Sequence, residues 1–380
     1  MQKSHQMQIC VAVDKFKGSL TAFEAAEAIR EGFSGVLPDA EFSMIPMADG
    51  GDGSFAILHK SVEGKVIEVQ TRDARMRAVS APLFLFNEGK SAFIESATVC
   101  GLAMLDQKDR DPMTATSYGL GLMIRRALDE GVDKIYIGLG GTATNDVGTG
   151  MMSALGCRYL TAAGEEVRPG CEGLSAIAAI DDSGLDRRFI AAKIYAVTDV
   201  SNTLLGQEGA TFTFALQKGA SRRMLPEMEE AVAGFSEVYT RKYGKRLDLI
   251  QGGGAAGGIG AMILVQHRGF RIEGWRFFAD LQQLESRIIS ADLVITGEGR
   301  FDTQSLSGKV IDGVEELCRK HSRPLWVFCG KSDVREEQLV VCPAIEQIFR
   351  ISDIEPNSSL SIRYADKLLK ELSILAAKTL

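Results

Sequence analysis

Carboxylates recur beside glycines where apolar runs end, and these clusters are where chemistry is to be sought. Asp14-Lys15-Phe16-Lys17-Gly18-Ser19 follows the run QICVAV, and Ala48-Asp49-Gly50-Gly51-Asp52-Gly53 follows residues 41–46. GLGGTATNDVGTG spans residues 138–150, and Gly297-Glu298-Gly299-Arg300-Phe301-Asp302 follows residues 291–296. Glycine lets backbone approach a ligand closely, while carboxylates hold a divalent cation or accept protons. Asp199 closes the run IYAVTD and is followed by Asn202, a neutral oxygen donor. Lys17 lies just before the capping box Thr21-x-x-Glu24, whose helix N-terminus favours anions, and Lys309 opens another helix. Aspartate also serves turns through its own backbone hydrogen bonds, so each of these acids can be read alone as a turn residue. Together with Lys and Arg they suit phosphoryl transfer, which needs charge neutralisation and positioning more than covalent chemistry.

Other chemistries fit less well. The four histidines (His5, His59, His267, His321) lie outside the clusters, against Ser-His nucleophilic catalysis and H-E-x-x-H zinc sites. No G-x-x-x-x-G-K-[ST] occurs, so a P-loop is excluded. Gly138-x-Gly140-x-x-Ala143 and Gly252-x-Gly254-x-x-Gly257 match dinucleotide fingerprints. Neither sits in the first βαβ unit nor precedes a clear strand ending in an acid, as that fold normally requires. A nicotinamide-dependent hydroxy-acid dehydrogenase is kept as an alternative, with a two-lobed sugar-acid binding module as the non-catalytic one.

The elements that must position these residues follow from pattern. At 380 residues, two domains are expected. With 45% hydrophobic and 24% charged residues the composition is that of a soluble globular protein. A net charge of −7 without a basic stripe argues against nucleic acid. No apolar run approaches membrane-spanning length and residues 1–8 are polar; the seven cysteines lack a C-x-x-C pair. The expectation is a cytoplasmic protein with reduced thiols, monomeric or homodimeric. Strands are expected at residues 8–13, 41–46, 134–137, 193–198, 291–296, 324–329 and 347–351. Helices are expected at 21–33, 54–60, 117–130, 225–243, 307–320 and 360–375, and alternating runs at 65–96 read as antiparallel strands. Repeated strand–loop–helix units give an α/β fold class with a parallel sheet, and the alternating runs mark the entry to a second domain.

Read together, the blocks resemble the type 1 glycerate kinases over nearly the whole chain. The carriers are Asp14-x-Phe16-Lys17-Gly18-Ser19-Leu20, Pro46-Met47-Ala48-Asp49-Gly50-Gly51-Asp52-Gly53 and Gly138-Leu139-Gly140-Gly141-x-x-x-Asn145-Asp146-x-Gly148-x-Gly150. Next come Asp199-Val200-x-Asn202-x-Leu204-Leu205-Gly206, Gln217-Lys218-Gly219-Ala220, Gly254-Ala255-Ala256-Gly257-Gly258-x-Gly260 and Thr296-Gly297-Glu298-Gly299-Arg300-x-Asp302-x-Gln304. Asp52 stands where that family usually has Glu, Thr203 where it often has Pro, and Ser305 where Thr is common.

The resemblance implies ATP- and Mg²⁺-dependent phosphorylation of D-glycerate at the 2-hydroxyl, with the 3-hydroxyl as the alternative, in a cleft between two domains. It also implies a Rossmann/flavodoxin-like parallel sheet formed by both chain ends, residues 7–66 plus 287–380, around an inserted mixed α/β domain, residues 67–286. From the chemistry of these motifs, Asp199 is expected to accept the hydroxyl proton or hold Mg²⁺, with Asp302 as a further metal ligand. Lys17 and Arg300 are expected to bind the glycerate carboxylate or the moving phosphoryl group. Asp14, Ser19, Asp49, Glu298 and Asp302 are expected to contact substrate. Gly140, Gly141, Thr142, Asn145, Asp146, Gly254, Gly257, Gly258 and Lys309 are expected to wrap the nucleotide.

Overall fold

A computed structural model describes residues 6–266, 269–303, 305–306 and 308–380, with the side chain of Glu336 left out. His5, His267, Gln304 and Ser307 lie outside the described residues. Among those described, the strands are β1 (Gln8–Val13), β2 (Glu41–Met44), β3 (Gly64–Arg72), β4 (Ala78–Phe86), β5 (Ser91–Glu95), β6 (Lys134–Gly138), β7 (Arg158–Leu160), β8 (Ala179–Asp181), β9 (Lys193–Val197), β10 (Phe270–Ile272), β11 (Leu293–Phe301), β12 (Leu325–Ser332) and β13 (Ile345–Arg350). The chain forms two compact units, one from the chain up to Asp49 together with Glu273–Leu380, the other from Gly50–Ile272.

The first unit carries a parallel sheet in the order β13-β12-β11-β1-β2. Counted within the unit this is the order 2-1-3-4-5 of flavodoxin-like folds, whose ligands gather at the carboxyl ends where the order reverses, here between β1 and β11. Both faces are covered, so its strands read as continuous apolar runs. Ile9, Val11, Val13, Leu293, Ile295, Trp326 and Phe328 pack under the helices Ala22–Ser34 and Ala365–Ala377. Val327 and Cys329 pack with Ile311 of the helix Val310–Lys320 on the other face. The capping box expected at Thr21 is present, Thr21 Oγ1 accepting from the Glu24 amide and Glu24 from the Thr21 amide. The closing helix expected at 360–375 is two helices, Ser358–Arg363 and Ala365–Ala377, broken at Tyr364.

The second unit carries a sheet in the order β10-β9-β6-β5-β4-β3, parallel from β10 to β5 and antiparallel from β5 to β3. The antiparallel part is the alternating stretch read from sequence. One face, with Leu83, Leu85, Ala92, Ile94, Ile135, Ile137, Ile194 and Ala196, belongs to the large apolar core of this unit. The units divide at 49/50 and 272/273, whereas the boundaries expected from the sequence and its resemblance are 66/67 and 286/287. The difference has a packing cause. The helix Ser54–Ser61 packs on β5, and Trp275 of the helix Gly274–Leu281 packs against Gly313 of the first unit.

Candidate active site

In the first unit, the loops after β1 and β11 meet at the reversal of strand order. The Asp14 amide donates to the Gly297 carbonyl at 2.9 Å. Close by, a Cβ on Gly299 would lie 2.9 Å from the Lys17 nitrogen, so only glycine lets these two loops touch. Asp14, Lys17, Glu298 and Arg300 therefore issue from contiguous backbone. Lys15 Nζ pairs with Asp49 Oδ1 at 3.1 Å, bringing in the segment after β2. Lys309 precedes the helix Val310–Lys320, close enough for its ammonium to act on Glu298.

Burial sets the electrostatics here. Asp14, 9% exposed, has its carboxyl pushed up to about 7 by burial; Lys15 opposes this, and the charges of Asp49 and Glu298 reinforce it. Burial likewise raises Glu298, against the Ser305 hydroxyl and Lys309 and with Asp302 and Asp49. Its Oε1 is buried without a hydrogen-bond partner among the described residues. Buried acids facing one another in this way favour a cation or a hydrogen-bond donor beside them.

The other first-unit candidates are more exposed. Lys17 faces solvent, and Ser19 Oγ donates to the Phe16 carbonyl at 3.0 Å within its own turn. Arg300 is an exposed side chain whose Nε and Nη2 lie 2.7 and 2.6 Å from Asp333 Oδ2, with Asp302 at 4.0 Å.

In the second unit, loops converge at the carboxyl ends of β5, β6 and β9. The Leu139 amide donates to the Val197 carbonyl at 3.0 Å, and Asp199 follows β9 two residues later. Asp52 and Gly141 are exposed, and Gly140 is partly so. The remaining expected residues lie deeper. Asp146 is fully buried, its carboxylate accepting from the amides of Ser117, Gly148 and Gly150 and from the Ser117 hydroxyl. Burial raises its pKa despite those bonds. Asn145 is buried, its Nδ2 donating to Thr211 Oγ1 at 3.3 Å, while its Oδ1 and Thr142 Oγ1 have no partner among the described residues. A Cβ on Gly254 would lie 2.4 Å from the Thr203 carbonyl, one on Gly257 2.0 Å from that of Thr144, and one on Gly258 2.8 Å from Val147 Cα.

These glycines thus have a packing role, loop against loop, and their match to dinucleotide fingerprints follows from that. Three residues that hold these loops are not singled out from sequence: Lys15 in the first unit, and in the second the buried Lys218 and Glu95 at the end of β5. Glu95 ends an apolar strand, the same signal that draws attention to Asp199. Lys15 is overshadowed in the sequence by its neighbour Lys17.

A flavodoxin-like sheet with acids and lysines at its switch point, together with a second α/β unit built on glycine-rich loops, defines an enzyme of the phosphotransferase class. The chain belongs to the glycerate kinase family, whose model matches residues 9–380. It is 37% identical to a glycerate kinase of Bacillus subtilis (strain 168), covering 98% of this chain and 99% of that one. It is 38% identical to a glycerate 2-kinase of Escherichia coli (strain K12), covering 85% of each. A crystal structure from Salmonella typhimurium LT2, described as a candidate glycerate kinase 2, superposes with a TM-score of 0.81 at 36% identity, covering 99% of this chain and 98% of that one.

Proposed function

We propose that this protein transfers the γ-phosphoryl group of ATP to the 2-hydroxyl of D-glycerate. The observation that carries the reading is the acid and lysine cluster at the β1/β11 switch point, in a chain of this family. Lys17 and Arg300 are cations free of the core that can pair with the glycerate carboxylate or the moving phosphoryl group. Asp14, buried and raised towards neutrality, is suited to accept the proton of the attacking hydroxyl. Asp199, expected from sequence in that role, is the second candidate. In the other unit the exposed rim of Gly140 and Gly141 is offered to nucleotide, while Asn145, Asp146, Gly254, Gly257 and Gly258 support it from behind.

Mg²⁺ fits this donor set in a limited way. Among the described residues no three His, Cys, Asp or Glu side chains are grouped to hold a metal by themselves. Mg²⁺ normally takes one or two carboxylates and completes its shell with water and phosphate oxygens. Asp302 in the first unit and Asp199 in the second are each proposed as a candidate ligand, and the Glu298 oxygen without a partner among the described residues marks where positive charge is wanted. When bound, the ion would neutralise developing phosphate charge.

Phosphorus NMR of the product from ATP and D-glycerate tests the proposal. A 2-phosphoglycerate resonance is expected. Absence of transfer overturns the activity, and 3-phosphoglycerate overturns the assigned hydroxyl.

A further inference from the structure

The loop 50–53 carries no side-chain cap for the helix it precedes: Gly53 is the N-cap of Ser54–Ser61 and offers none. The cap comes from another strand. Glu95 Oε1 accepts from the Gly53 amide at 3.2 Å, and Oε2 from the Phe55 amide at 2.7 Å. Those amides are donors a helix start leaves unsatisfied, and the helix dipole favours a negative charge beside them. Glu95 is 5% exposed, so its carboxylate is buried against this loop.

The loop is pressed from its other side by the strand neighbouring Glu95. Glu95 stands in register with Gly138, the last residue of β6. A Cβ on Gly138 would lie 2.6 Å from the Gly50 carbonyl oxygen, one on Gly140 2.3 Å from Gly51 Cα, and one on Gly141 2.1 Å from Asp52 Oδ1. The two glycine loops interlock along their backbones, and the carboxylate of Glu95 pins the pair from beneath at the amides of Gly53 and Phe55. Moving Glu95 moves Asp52 and the rim of Gly140 and Gly141 together.

We propose that Glu95 is a positioning residue for phosphoryl transfer, acting through the loop 50–53 and touching neither substrate. This rests on the kinase reading above. Glutamine in its place has one acceptor oxygen and presents an NH₂ group to the second amide, so one bond of the pair becomes a donor–donor contact. Aspartate keeps the charge one methylene shorter.

The test is steady-state kinetics of the full chain with ATP and D-glycerate, beside thermal melting. Glu95→Gln is expected to lower kcat by about 100-fold, the scale of an ångström's misplacement, and to leave the KM for D-glycerate within about threefold. A loss of fold alone would lower active enzyme without separating kcat per folded molecule from KM. Gly140→Ala disturbs the same loop from the opposite side, so the double variant should lose no more than the worse single. A Glu95→Gln enzyme within about twofold of the parent kcat, or fully additive losses with Gly140→Ala, overturns the inference. If the glutamine variant does not fold, Glu95→Asp decides: about tenfold lower kcat supports the role and an unchanged kcat removes it. A parent chain that fails to phosphorylate D-glycerate overturns the kinase reading, whereas an active parent with unimpaired Glu95 variants overturns this inference only.

Discussion

Lys218 Nζ donates to the carbonyl oxygen of Thr144 at 2.7 Å in the interior of the second unit, where Lys218 is 3% exposed. An ammonium has three donors and is costly to bury, so this contact anchors the loop 142–146 with a group that resists its own position. Burial holds the Lys218 pKa down to about 8, against the pull of Cys100 and Asp146.

Stability should therefore rise with pH on account of this residue. Unfolded Lys218 holds its proton up to about 10.5, so between pH 8 and that value the unfolded chain binds more protons than the folded one. The stability contribution is full above the unfolded pKa and lost as pH falls through about 8. Urea unfolding of the parent and of Lys218→Met at pH 7.5 and 9.5 is the measurement. The parent should gain on the variant at the higher pH, and a pH-independent difference would sink the argument.

Asp14→Asn should trade activity for stability. The Asp14 carboxyl is raised to about 7, so its contribution is full below its ordinary 3.8 and is lost as pH rises through about 7. The asparagine variant should therefore gain melting temperature relative to the parent on moving from pH 5.5 to pH 8. Its kcat should fall by about 100-fold or more, the range for a removed general base. Parental turnover in the Asp14→Asn enzyme would show that the proton leaves by another group.

Arg300 allows a clean separation of binding from folding. Its pair with Asp333 is exposed, and such solvent-screened pairs contribute little to stability. Arg300→Ala should leave the melting curve nearly unmoved while lowering kcat/KM by about 100-fold. Asp333→Ala, which releases the guanidinium, should not reproduce that loss. If both variants behave alike, Arg300 acts only through its partner.

Gly141→Ala addresses the rim. Gly141 has φ +67°, and an added Cβ would meet Asp52 Oδ1 at 2.1 Å. The left-handed conformation costs a side chain about 1–2 kcal/mol, and Asp52 must swing away. The expected result is a raised KM for ATP with the KM for D-glycerate little altered. A change confined to glycerate would reassign this loop.

Much of the fold is legible in the sequence because its signals are local. The apolar runs at Gln8–Val13 and Leu325–Ser332 read as buried strands since both faces of their sheet are covered, and Thr21 with Glu24 announces a helix start within four residues. The boundaries at residues 66 and 286 differ from those of the compact units because the helices Ser54–Ser61 and Gly274–Leu281 look alike from sequence whichever unit they join. Which sheet each covers depends on partners such as β5 and Gly313, far along the chain.

The candidate site divides the same way. Asp14, Glu298, Asp199 and the glycine loops stand out by residue type and by their place at strand ends, and the ordered motif blocks point to the family. Residue order does not tell how a carboxylate is surrounded. Asp14 and Asp146 are both acids near glycine, yet one faces Lys15 and Asp49 while the other spends its oxygens on the amides of Ser117, Gly148 and Gly150. The roles of Lys218, Glu95 and the Lys15–Asp49 pair emerge only in three dimensions. Propensity and periodicity act between neighbours a few residues apart, whereas burial and charge pairing are set by groups that the chain brings together from opposite ends.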